Sequence, residues 1–160
     1  MSQFTATQAN TAPTVSTTNV NTNVLYNTVA GAIALVKMIT WGGSDTSLIS
    51  HTSRCARVTN TPATPTAITP QTANTAAGPA AISLAATFGT AATAASAATG
   101  NSLFMQAWNS QGGGGVVVLP IGGEWLIVGA ALGTAGDAIG WGDAFGTASA
   151  NTTYGWTWAE

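Results

Sequence analysis

Charge is what this sequence has least of. Lys37, Arg54 and Arg57 are its basic residues and Asp45, Glu124, Asp137, Asp143 and Glu160 its acidic ones, in a chain of 160. An ordinary soluble domain has roughly a quarter of its residues charged. Three cations cannot replace the counterions of several phosphates, so nucleic-acid binding is excluded as a role. Cysteine is nearly absent too: Cys55 stands alone, which rules out an intrachain disulfide. Long apolar runs are missing despite a mean hydropathy of +0.28. Residues 116–133 are interrupted by Pro120, Gly122, Gly123 and Glu124, and 29–39 is too short for a bilayer and contains Lys37. No membrane partner is expected. Residues 1–23 have neither the positive charge nor the apolar stretch of a secretory signal, so the expected place of folding is a reducing cytoplasm.

What is present is Thr, Ala, Asn, Ser and Gly, and a folded form must coat itself with them. The length suits one domain with a real core. Residues 1–23 (MSQFTATQANTAPTVSTTNVNTN) are polar and uncharged, and predict a disordered or extended N-terminal arm. At about 3.3 Å per residue such an arm reaches on the order of 75 Å, enough to cross one subunit and order against the next.

Residues 24–160 read as one domain made almost entirely of strands. Ile33, Leu35, Lys37 and Ile39 alternate with Ala34, Val36, Met38 and Thr40; Ile82, Leu84, Ala86 and Phe88 alternate again. Residues 48–58 read as a weaker strand or a bent pair. Residues 103–108 and 116–119 flank four glycines, Gly112 to Gly115, as a hairpin with a flexible turn. Residues 125–131, the stretch around Ile139 and Trp141, and a terminal strand with Tyr154, Trp156 and Trp158 on one face complete the set. Residues 91–98 (AATAASAA) are the one helix-like patch, too short and too small-sided for more than a loop or single turn. The segment 59–79 carries Pro62, Pro65, Pro70 and Pro79, and reads as a functional loop or an edge whose prolines block further pairing. Short strands with turn residues every ten or so positions predict an antiparallel β-sandwich or jelly roll.

Three groups of residues invite a chemical reading. His51 with Ser50, Ser53, Cys55 and Asp45 offers a nucleophile and a base, but matches no hydrolase spacing and has no nucleophile elbow. A polar surface or interface histidine is the expectation, and no catalytic residue is assigned. Asp137 and Asp143 repeat G-D-A-x-G six residues apart, which could hold Ca²⁺ but equally reads as plain turns, so no metal or other cofactor is assigned. Gly112 to Gly115 lacks the Lys-Ser/Thr and the helix of a phosphate loop.

The six tryptophans, Trp41, Trp108, Trp125, Trp141, Trp156 and Trp158, divide between core, subunit contact and sugar-stacking platform, with core the leading account. Trp156 and Trp158 lie where chains fray, which suggests docking. Phe4, Val15 and Val20 of the arm and Tyr154, Trp156 and Trp158 are therefore the expected subunit contacts.

The polar arm, the alternating strands, the Thr/Ala/Asn loops and the run GGGVVVLPIGG at 113–123 together resemble small β-sandwich virion proteins of tailed phages, the capsid decoration (cement) and tail-associated proteins. That resemblance implies trimers or other rings on a capsid or tail, with no enzymatic activity and no cofactor. The expected function is thus a structural virion protein that contacts itself and others such as the major capsid protein. A carbohydrate- or receptor-binding β-sandwich module is the alternative, and a His51 hydrolase the third reading.

Overall fold

The computed structural model describes residues 1–11, 19–20, 23–27, 29–43, 45–59, 65–73, 81, 83–88, 92–93, 102–128, 137–146 and 151–160. In chain order the strands are β1 (Gln3–Thr11), β2 (Asn19–Val20), β3 (Asn23–Asn27), β4 (Ile33–Gly43), β5 (Ser50–Thr59), β6 (Pro65–Ile68) and β7 (Gln71–Thr72). They continue with β8 (Ser83–Phe88), β9 (Ala92–Thr93), β10 (Phe104–Asn109), β11 (Gly114–Val118), β12 (Trp125–Val128), β13 (Asp137–Gly146) and β14 (Asn151–Ala159). The fold is all-β, as expected, with no helix among the described residues.

Two six-stranded antiparallel sheets face each other. The first runs β11-β4-β14-β1-β7, with β12 also on β4; the second runs β10-β5-β13-β3-β8-β6. Phe4, Ala34, Val36, Ile39, Trp41, Ile127, Tyr154, Trp156 and Trp158 of the first sheet meet Leu25, Cys55, Ile139 and Trp141 of the second in one buried cluster. Tryptophan rings do most of the filling, because the Ala and Thr around them cannot. Trp141 lies 5.2 Å from Trp41 and 5.9 Å from Tyr154 between ring centroids, joining the sheets by aromatic contact. The Trp156 indole N–H donates to the buried Asn23 side-chain oxygen, a polar link between the sheets.

Residues 3–11 are not an arm. They pair with β14 over nine residues, from Gln3↔Ala159 to Thr11↔Asn151, and Phe4 and Thr5 pair with β7. Ser2 and Glu160 exchange two backbone hydrogen bonds beyond the ladder's end. Alternation explains the difference: Phe4 and Ala6 point inward while Gln3, Thr5 and Thr7 point out, so two apolar residues suffice to seat the strand. Asn19 and Val20 form a small ribbon with β9, so two residues of the patch expected to be a loop or turn are strand.

β4 departs from simple alternation. Thr157 faces Met38 and Trp158 faces Val36, which leaves Lys37 as an extra residue, a β-bulge. Ala34 and Val36 point inward before it, Ile39 and Trp41 after it. Along the other side of β4, Val118 faces Met38 and Trp125 faces Val36. β11 and β12 are thus one line of pairing interrupted, opposite the bulge, by an excursion over residues 119–124.

Residues 103–119 do not form a hairpin. β10 pairs with β5 in the second sheet and β11 with β4 in the first, so the glycines turn a corner between sheets. Gly112 takes φ +77°, and a Cβ on Gly115 would stand 2.5 Å from the Trp41 ring. The proline-rich segment is an edge: β6 starts on Pro65 and pairs only with β8 in the second sheet.

Candidate functional site

Of the expected subunit contacts, Phe4, Tyr154, Trp156 and Trp158 are each 2% exposed or less. Phe4 stacks on Trp158 at 5.9 Å, and the Trp158 N–H donates to Glu160. These side chains hold the two sheets together; they do not reach a neighbour. Val20 lies on the β2–β9 ribbon, and Val15 lies outside the described residues.

His51, Ser53 and Cys55 share the inward face of β5, and all three are buried. The His51 ring stacks on Trp108 at 4.8 Å, and the Trp108 N–H donates to Ser53 Oγ at 2.8 Å. His51 is therefore a packed interior residue rather than a polar surface one. Burial pushes the Cys55 thiol well above its ordinary range, with Arg57 pulling it partly back, which is the opposite of what a nucleophile needs. No cavity opens among the described residues. Nothing in this row is placed for chemistry on a substrate.

Asp137 and Asp143 do not sit on glycine turns. Both belong to β13, where they face Thr59 and Ser53, and a register shift follows Asp143. The described residues contain no cluster of three metal-ligating side chains.

Arg54 had no assigned role. It points from β5 away from the first sheet, between Met105 and Gly142 in register, yet is 1% exposed. The residues sharing that outward face, Val24, Tyr26, Ala56 and Ala138, are buried too, and the β2–β9 ribbon lies against β5 and β13. None of the guanidinium nitrogens has a hydrogen-bond partner among the described residues, and burial lowers its pKa. The Lys37 ammonium is answered instead: Glu124 takes its proton donor through Oε1 and the Gly122 N–H through Oε2, which also holds Glu124 below the usual carboxylate range. Of three cations, one is interior and one is neutralised at the bulge. The surface is poorer in charge than the composition.

One open surface among the described residues is the outward side of the first sheet with its β11 edge. Register lines up Thr5, Thr157 and Met38 in one row and Thr7, Gly155 and Thr40 in the next. A Cβ on Gly155 would meet the hydroxyls of Thr40 at 2.4 Å and Thr7 at 3.0 Å, so this glycine lets the threonines close over it. At the margin stand Val116 (56% exposed) and Val118 (68%), and Ile121 tops the 119–124 excursion at 97%. Composition signalled a neutral skin, but nothing local in GGVVVLPIGG said which valines would face out. None of the six tryptophans is exposed: Trp108 and Trp125 are half-buried and the other four are buried. No helix among the described residues is long and apolar enough to cross a membrane.

Comparison with protein-family models, with curated proteins and with solved structures finds no match for this chain.

Proposed function

We propose that this chain is a non-enzymatic structural subunit of a viral particle, a phage capsid decoration (cement) or tail protein that stabilises a shell through subunit–subunit contacts. One observation carries the reading: a surface almost without ions, on which Val116, Val118 and Ile121 stand open. Such a skin favours association for a protein alone and becomes interface when copies cover it, since uncharged contacts carry no cost of desolvating ions.

The strand order supports it. Leaving aside β2 and β6–β9 and counting β11–β12 as one, the eight strands pair as first with eighth, second with seventh, third with sixth and fourth with fifth. That nesting is the pattern of a jelly roll, an architecture common in viral capsids. The partners are further copies of the chain, a trimer being the resemblance's choice, and other virion proteins such as the major capsid protein; the place of work is a virion assembled in the host cytoplasm. The receptor-binding alternative also suits a jelly roll, but none of the six tryptophans is exposed to serve it as a stacking ring.

Size-exclusion chromatography with light scattering at micromolar concentration tests the proposal. An assembly of three or more copies is expected, and electron microscopy of it should show rings or a regular lattice. A monodisperse monomer at the highest attainable concentration would overturn the building-block role.

A further inference from the structure

We infer that β11 is a two-fold contact through which one copy of the chain extends the first sheet of another. The inference rests on the structural-subunit reading and names the strand that does the joining.

The backbone supplies the evidence. The Gly43 N–H donates to the Gly113 carbonyl and the Leu119 N–H donates to the Lys37 carbonyl. Antiparallel pairing alternates, so odd-numbered residues from 113 to 119 bond to β4 while Gly114, Val116 and Val118 turn N–H and C=O away from it. Among the described residues no strand occupies that side, and Gly114, Val116 and Val118 are exposed.

Natural edges are blunted by lysine, proline, a bulge or extreme shortness. Two other margins show such devices: β6 opens on Pro65 and β7 has two residues, while on β10 the Gln106 side chain donates to the Ala107 carbonyl. Between Gly114 and Val118 there is no charge, no proline and no bulge. Pro120, which has no N–H, marks where the open row stops.

The occupant follows from self-complementarity. A two-fold axis through Val116 sets Val116 against its own copy and Val118 against Gly114 of the second copy. Every outward N–H then finds an outward C=O, large side chains meet glycine or each other, and no charge meets a charge. The nearest ions, Lys37 and Glu124, already satisfy one another. The result is a sheet continuous across two copies, and a two-fold contact of this kind can link trimers into a closed shell.

Replacing Val116 with proline removes the central outward N–H and leaves the bonds to β4 intact. Light scattering should show the wild-type assembly reduced in Val116→Pro to the smaller unit that the contact joins, with the far-ultraviolet circular dichroism of the native fold. Val116→Lys, which brings like charges together at the axis, should reduce it to the same unit without any backbone restraint. Val116→Cys should cross-link to itself on mild oxidation, the buried Cys55 staying out of the reaction, whereas Leu48→Cys, more open at 71% exposed, should not. An assembly of undiminished mass in both Val116→Pro and Val116→Lys, or cross-linking at Leu48→Cys as fast as at Val116→Cys, overturns the edge contact and leaves the building-block role standing. A wild-type chain that stays monomeric overturns both.

Discussion

Taking a guanidinium out of water without an answering anion costs several kcal/mol, and Arg54, buried beneath the outer layer of the second sheet, has no hydrogen-bond partner among the described residues. Replacing it with a flexible apolar side chain of similar length removes the penalty and keeps the contacts of the stem. Arg54→Met should therefore raise the unfolding free energy by about 1–4 kcal/mol, read from urea midpoints at unchanged slope. A loss of stability would show that the cation has a partner in the folded chain. Cys55 makes a second case, this time in pH. Its folded thiol is held protonated by burial, while in the unfolded chain a thiol ionises near pH 8.5. The folded state keeps a proton that the unfolded state gives up, so the stability is complete below that pH and drains as pH rises above it, by up to about 1.4 kcal/mol per unit. Urea unfolding at pH 7, 9 and 10 (about 8.5 being the pivot) should show the decline, and Cys55→Ala should shed that part of it.

At the scale of elements, the nature of the first eleven residues has the largest consequence. An arm could be cut off and only assembly would suffer. As β1 it supplies Phe4 and Ala6 to the core and nine residues of ladder to β14. Deleting residues 1–11 should abolish cooperative unfolding of the isolated chain, seen as loss of the thermal transition in circular dichroism. A truncated chain that still melts cooperatively would restore the arm. This strand was poorly legible because its pattern, Phe4 and Ala6 among threonines, is too faint to outweigh polar composition; its pairing partner, not its own sequence, makes it a strand. β4 shows a different limit. Its strand character was plain, but the inward set Ala34, Val36, Ile39 and Trp41 fits no single period, and only the partner register reveals that Lys37 is the extra residue. The all-β class and the strand character of 83–88, 104–109, 114–118 and 125–128 could be read directly, since alternation and turn residues are local signals, whereas the prolines of 59–79 left both a functional loop and an edge open. Assigning β10 and β11 to different sheets could not, because a four-glycine corner and a hairpin turn look alike in sequence. The contact residues were misplaced for a related reason: aromatic rings near a chain end suggest docking, and here they dock into the chain's own opposite sheet.

For the whole molecule, the proposed assembly through a neutral surface should be indifferent to salt. Ion-pair interfaces weaken as the screening length falls from about 10 Å at 0.1 M to about 3 Å at 1 M salt. Apolar and backbone contacts do not, and sulfate strengthens them. Assembly mass should stay constant from roughly 0.05 to 1 M NaCl, a range that dissolves contacts held by charge. Dissociation over that range would assign the joint to ions instead.

The nested pairing also sets a timetable. Gln3 meets Ala159, so β1 has no neighbour on that side until β14 is made. At 5–20 residues per second the delay is on the order of ten to thirty seconds. Through that interval β4 waits for β14 as well, and the sheet whose margin would recruit another copy is unfinished. Under the proposed building-block role, a nascent chain is thus kept from joining another copy prematurely, and competence to do so arrives with β14.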